Sequence, residues 1–498
     1  MQSMVTAIWN ERVERRWVSL CGTWFRRIAA VCVVFGALSP TDTTYGAFDK
    51  GEPDDRDIAV AVMRALAVDE ATPDHRIDVG VEDGVVMLEG SVHSLRAADR
   101  ATRVARTVRG VRSVVNRLGV NAVERDDRSL RKDVLGSLEE HSILDSGALN
   151  VTVEDGAVTI AGQVRNAFVK QLCRKAVRGV RGVRSLKNEV EVQESMTLGS
   201  EKIEADVERA LAINVWTTHA DVEVSVSEGA ATVRGVVGSA QQKTMVENTA
   251  LLAGAREVDA RGVKIDPKEH LEHRRKVPPV RRADEEVHAA VIDTLRFDPR
   301  IRSEDIEIRV EDGLVTLTGR VGFLGARQAA ENDTSHTVGV IGVRNYLRTR
   351  PDRDVPDERL HDRVQQALLR DADVDRVDIE VTVRNGQVFL NGEAGSYYIK
   401  EQARSTAAAV PGVIAVDTKG LTVRDEKETE DDAVIAASIE RELWWNPFVD
   451  SDRSDVVVED GAATLRGVVA DAHERNIAAN EAYEGGADTV YNNITVRE

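Results

Sequence analysis

Six glycines, Gly84, Gly156, Gly229, Gly313, Gly386 and Gly461, recur at spacings of 72, 73, 84, 73 and 75 residues, and a Leu precedes each by 18 positions. Those leucines are Leu66, Leu138, Leu211, Leu295, Leu368 and Leu443. A second glycine follows each of the six at +6: Gly90, Gly162, Gly235, Gly319, Gly392 and Gly467. A pattern kept six times over 498 residues makes the chain an array of one unit and excludes a single large core.

Four and eight residues before each Leu the chain is apolar, as at Val62 and Ile58, Val134 and Leu130, or Ile439 and Ile435. An i, i+4, i+8 stripe predicts a helix with one buried face. A period-2 stretch follows: Ile77, Val79 and Val81, then Val86 and Leu88 beyond Asp83-Gly84. A two-residue type I′ loop at Asp-Gly would pair Val81 with Val86 and Val79 with Leu88, all facing one way. Gly90 would then oppose Ile77, where a missing side chain permits close backbone approach. Asn385-Gly386 fits the same turn, and Glu228-Gly229 is the weakest match. An Ala- and Val-rich second helix and a closing strand through Val111, Val114, Leu118 and Val120 complete the unit. The expected fold class is α+β: six tandem small αββαβ modules, each with two helices on a three-stranded mixed sheet. The last strand–helix–strand element should cross right-handed, making the sheet partly parallel.

This order resembles the BON domain, a small module of bacterial envelope and transport-associated proteins. So do the [DN]-G hairpin, the +6 glycine and the later G-V-x-x-V-x-N element, present at Gly110-Val111 to Asn116 and Gly182-Val183 to Asn188. The sixth copy's LWWNPFVD, residues 443–450, is similar to a common end of the first helix in that family. Copies three and six depart from it with Gly254-Ala255 and Gly486-Ala487, and copies three and five close on shifted glycines, Gly262 and Gly420. The expected organisation is a signal peptide or anchor over 1–50, modules at 54–124, 126–193 and 200–266, a charged linker at 267–283, and modules at 284–350, 357–424 and 431–498. The resemblance implies contact with phospholipid surfaces or envelope proteins, and no catalysis.

Residues 226–240, VSEGAATVRGVVGSA, nearly repeat as 458–472, VEDGAATLRGVVADA. Matching glycines of copies one and four, two and five, and three and six lie 229, 230 and 232 residues apart, which points to duplication of a three-module block. The joint carries Pro278-Pro279 and dense charge, suited to a semi-rigid spacer. Ahead of the array, Arg26-Arg27 precedes the apolar run 28–38, and Thr44-Tyr45-Gly46 offers small residues for cleavage. Eleven apolar residues suit an export signal better than a membrane span. That places the array in the periplasm, or tethered facing it.

A net charge of −19 argues against nucleic acid as a partner. Aromatics make up 4% of the chain, so the cores fall to Val, Ile, Leu and Ala. Cys173 is the one cysteine beyond the N-terminal region, so no internal disulfide holds the array. No P-loop, dinucleotide fingerprint or nucleophile elbow occurs. His270 and His273 in the linker lack further ligands and stand beside Arg274, Arg275 and Lys276. Asp371, Asp373 and Asp375 start like a calcium loop, but Arg376 and Thr382 occupy the positions needing Gly and Glu. No metal site and no cofactor is expected.

Charge is uneven among the second helices. Those of copies one and two carry Arg96, Arg100, Arg103, Lys170, Arg174, Lys175 and Arg178, with few acids between. Each such cation contributes about 1 kcal/mol near an anionic bilayer. Trp445 aligns with Phe297 and Ile213 as core, whereas Trp444 aligns with Ala212 and Arg296 and is the candidate for exposure at a membrane interface. These seven cations and Trp444 form the expected lipid contact. Several weak contacts on one chain would add by avidity. The alternatives are a periplasmic protein-interaction scaffold of stacked modules and a module binding a small ligand or cation under stress. The sequence leaves the oligomeric state open.

Overall fold

A computed structural model describes residues 53–69, 76–140, 149–193, 199–268, 282–350, 355–374, 379–423, 431–469 and 472–496. The expected leader and the linker histidines His270 and His273 lie outside them.

Six copies of one αββαβ unit are present. In module 1 the first helix is Asp55–Val68, the hairpin strands Ile77–Glu82 and Val85–Val92, and the second helix Leu95–Thr107. The first helices of modules 2 to 6 are Asp127–Glu139, Ser200–Ile213, Asp284–Phe297, Asp357–Arg370 and Asp432–Trp445. Their second helices are Ala167–Arg178, Ala240–Leu252, Leu324–Ser335, Tyr397–Ala409 and Ala472–Glu484. In every sheet the middle strand pairs antiparallel with its hairpin partner and parallel with the closing strand. All six leucines of the first-helix stripe are buried, at 6% exposure or less.

Local chemistry explains why each copy folds alike. Asp83 (φ 50°) and Gly84 (φ 72°) both take positive φ, as a type I′ loop needs, and Val81 pairs with Val86. The loop at Glu228-Gly229 takes the same conformation although Glu is a poor resident there. Asp55 at the start of the first helix accepts from the backbone N–H groups of Asp83 and Gly84, both at 2.8 Å. Asp127, Asp284, Asp357 and Asp432 clamp their own loops identically. Ser200 stands at that position in module 3. Gly90 pairs with Ile77 at φ 116°, and a Cβ there would lie 2.1 Å from the Arg76 carbonyl oxygen. Ser94, Asn166, Ser239 and Ser396 cap the second helices through their side chains. Asn116, Asn188, Asn345 and Asn492 tie closing strand to second helix, donating to Ala98, Lys170, Arg327 and Arg475 carbonyls.

The closing strands differ among the modules, and those of modules 1 and 4 break after Asn116 and Asn345. They run unbroken in modules 2 and 6 (Ser185–Val192 and Thr489–Val496). In module 3 the register shifts between Asp259 and Gly262, and in module 5 the strand breaks between Asp417 and Leu421. The displaced glycines 262 and 420 mark these irregularities.

The modules are not separate beads. Module 1 meets module 6, module 2 meets module 5 and module 3 meets module 4, each through a backbone hydrogen bond. The two three-module blocks therefore run against each other in opposite order. Contacts between modules run mainly through helices, while the outer sheet faces keep a half-exposed alternation.

Candidate functional site at the module junctions

The same bond makes all three pairs. The residue before the glycine that follows a second helix donates its N–H to the carbonyl two residues beyond a first-helix Leu. Arg109 donates to Trp445 at 2.9 Å, Arg181 to Arg370 at 2.8 Å and Val338 to Ile213 at 2.8 Å. A return bond forms in two pairs, from Ala372 to Gly179 at 3.0 Å and from Val215 to His336 at 2.9 Å. Pro447 occupies that place in module 6 and has no N–H to give.

Side chains reinforce the joints. In the 3–4 pair Arg209 reaches Asp293 at 3.6 Å while Arg296 reaches Asp206 at 3.9 Å. Arg370 of module 5 pairs with Glu140 of module 2. Trp216 of module 3 meets Phe448 and His473 of module 6 and His336 of module 4, with ring centroids 4.8, 4.0 and 5.9 Å away.

The densest junction joins modules 1, 2 and 5. Arg96 donates to Asp371 at 2.9 Å and to Asp373 at 3.3 Å, and its other arm reaches the Gly179 carbonyl at 3.1 Å. Asp371 also accepts from Gln402 (2.9 Å) and Thr406 (2.7 Å). Asp373 accepts from Ser94 (3.1 Å) and Tyr398 (2.8 Å), and His93 lies 3.0 Å from it. Arg178 closes the joint through Asp99 at 2.5 Å. Burial opposes ionisation of Asp373, but His93, Arg96 and Tyr398 outweigh it and hold its pKa at about 2. Burial likewise opposes the charge on Arg96, and Asp371 and Asp373 overcome it and raise its pKa. Asp371 and Asp373, resembling part of a calcium loop in sequence, serve as counter-ions for another module.

These contacts revise the expected lipid surface. Arg96 and Arg178 keep only 23% and 18% of their side chains exposed and are engaged between modules. Arg100 pairs with Asp69 at 2.6 Å. Trp444 is 4% exposed, because the pairing with module 1 covers it and Arg109 lies 5.1 Å over its ring. Trp445 is buried beside it, in the core of module 1. Arg103, Arg174 and Lys175 remain exposed and Lys170 half-buried. Alignment with the other copies could not reveal the burial of Trp444, since its cover comes from another module.

Cys173 is buried and its pKa is pushed up to about 11, so it is no nucleophile. Among the described residues no three His, Cys, Asp or Glu side chains gather to hold a metal ion. No described helix is long and apolar enough to cross a membrane.

The BON domain model matches residues 54–122, 126–194, 200–267, 283–351, 356–425 and 431–498. The chain belongs to the BON domain family. BON domains are non-enzymatic binding modules, and this chain is a tandem array of them. It is 28% identical over 147 residues to osmotically-inducible protein Y of Escherichia coli K12, covering 28% of this chain and 73% of that protein. Among solved structures, the C-terminal domain of CdsD, a structural protein of the type III secretion system of Chlamydia trachomatis, matches at 15% identity with a TM-score of 0.13. That match covers 46% of this chain and all of the other, and its score is too low to bear on the arrangement of the BON modules.

Proposed function

We propose that this protein is a non-catalytic binding scaffold of the bacterial cell envelope, with its BON modules locked together through their helices and its sheet faces turned to partner proteins. The repeated junction bond, Arg109 to Trp445 and its two equivalents, carries the reading. It engages the helical surfaces, including cations that would otherwise meet a membrane. The osmotic induction named for the Escherichia coli relative supports an envelope-stress setting, in the periplasm or tethered facing it.

The outer face of module 6 is the contact surface. Val457, Thr464 and Tyr491 form one row across its sheet, and Val468 stands further along the middle strand. Val457, Val468 and Tyr491 are 40, 43 and 57% exposed, an apolar group on an otherwise polar sheet. A photo-crosslinking residue at Tyr491 in cells should give a discrete protein adduct that Val457→Lys abolishes. Lipid adducts alone, or none, would refute the scaffold reading.

The phospholipid reading keeps Arg103, Lys170, Arg174 and Lys175, which hold no ion pair among the described residues. Pelleting with anionic but not neutral vesicles, lost in Lys170→Glu/Arg174→Glu, would favour it over the scaffold.

A further inference from the structure

The second helices of modules 1 and 2 pack against each other, and both pack against that of module 3. Their crossing is fixed by Arg178 on Asp99 and by Arg96 on the Gly179 carbonyl. About one turn from the crossing stand Arg103, four residues beyond Asp99, and Lys175, three residues before Arg178. Both residues are exposed, and partial desolvation lowers the pKa of each.

The charges around Lys175 are all positive: Arg103 and Arg96 of module 1 and Arg300 of module 4. Arg300 lies with its guanidinium 5.4 Å over the ring of Phe168, on the helix that carries Lys175. Arg96 and Arg300 have their own counter-ions, Asp371 with Asp373 and Asp298 respectively. Arg103 and Lys175 have none within ion-pair distance among the described residues. The acids nearest Arg103 are Asp99 and Asp69, which already pair with Arg178 and Arg100. Two cations thus stand without an ion pair, among the described residues, where three modules meet. Such crowding costs free energy unless an anion offsets it.

We propose that this junction binds a phosphate-type oxyanion, with Lys175 and Arg103 as its direct ligands and Arg300 beside them. A guanidinium fork beside an ammonium suits the several acceptor oxygens of such a group. The bound anion ties modules 1 and 2 to module 4, and so the first three-module block to the second. Its binding therefore stabilises the closed array in proportion to occupancy. The site is independent of the sheet-face contact proposed above.

The full chain is titrated calorimetrically with inorganic pyrophosphate at low ionic strength. One pyrophosphate per chain should bind and raise Tm with concentration. Lys175→Gln and Arg103→Gln should each weaken binding by about tenfold or more, the loss of one charge-assisted contact. Without pyrophosphate, Lys175→Gln should melt no lower than the parent, because repulsion is relieved. Arg261→Gln, an exposed pair with Asp259 elsewhere, should bind as the parent does. Phosphatidylglycerol vesicles separate the sources: pelleting that depends on Lys175 and is competed by pyrophosphate assigns the site to a lipid headgroup. Pyrophosphate binding without pelleting assigns it to a free oxyanion. The proposal is overturned if pyrophosphate does not bind and pelleting ignores Lys175, if either Gln variant binds as the parent does, or if Lys175→Gln without pyrophosphate melts below it.

Discussion

Leu95 and Leu324 do the same job in the two halves of the chain: each leaves its own module and completes the core of the next. Leu95, from module 1, packs with Leu130, Val134 and Ile160 of module 2. Leu324, from module 4, packs with Leu360, Val364 and Leu390 of module 5. They are 229 residues apart, the same interval as Gly84 and Gly313. The copied block thus kept its internal packing as well as its sequence. The pair bonds obey the same relation, since exchanging the halves turns the 1–6 contact into the 4–3 contact.

Leu95→Ala and Leu324→Ala should therefore behave as twins. Each removes a buried Leu from a neighbour's core and should cost about 2–4 kcal/mol. Hydrogen exchange should quicken in the middle strand of the following module, Ala157–Val164 or Gln387–Ala394, as well as in the mutated one. Exchange confined to the mutated module would contradict shared cores.

Asp371→Ala should open the junction of modules 1, 2 and 5. Arg96 would lose its nearest counter-ion, and Gln402 and Thr406 would lose an acceptor. Breaking a buried pair from one side costs about 3 kcal/mol. Urea unfolding should show that loss, and X-ray scattering a larger radius of gyration. An unchanged radius with normal stability would mean that Arg96 is held by Asp373 alone.

The module was legible because its determinants are local. A stripe at i, i+4 and i+8, an Asp-Gly loop and a glycine at +6 lie within some 30 residues of one another, and each tests its neighbours' register. The Asp at −29, present in five of the six copies, does not announce its clamp in the sequence, since Asp at a helix start is explained by capping alone. The junctions were another matter. Arg96 and Asp371 stand 275 positions apart, and no spacing within one copy links them. The surplus of cations on the second helices is visible in the sequence, but not that other modules neutralise Arg96 and Arg178. Trp444 was misplaced for the same reason, since exposure inferred from one module's helix takes no account of a second module lying on it.

Module 3 offers a gain instead of a loss. Ser200 stands where five other modules place the clamping Asp, and its loop still adopts positive φ at Glu228. Ser200→Asp should supply two charge-assisted bonds and a favourable charge at a helix N-terminus, together about 1 kcal/mol at this half-exposed site. The amides of Glu228 and Gly229 should then exchange several-fold more slowly. Unchanged exchange at those two amides would show that the clamp does not hold the loop.

The junction of modules 1 and 6 should respond to pH through Glu481. Burial raises its pKa from 4.5 to about 8, with the charges of Glu484 and Glu442 acting the same way, although Asn446 donates to it at 2.6 Å. Glu442 and Glu484 are raised as well, burial again being the first cause. A carboxyl with a raised pKa binds its proton more tightly in the folded state, so stability is full below the unfolded value near 4.5 and is lost as pH climbs through about 8. The charges of Arg441 and Arg64 act the other way on Glu442 without overcoming its burial. Glu481→Gln keeps an oxygen for Asn446 without the ionisation. Its unfolding free energy should fall less steeply between about pH 5 and 8 than that of the parent, with Glu442 and Glu484 supplying the remaining slope. Trp444 and Trp445 project from the helix that carries Glu442 into the core of module 1, so tryptophan fluorescence should follow the same titration. Parent and Glu481→Gln stabilities that run parallel through this window would show that Glu481 is ionised and solvated in the folded chain.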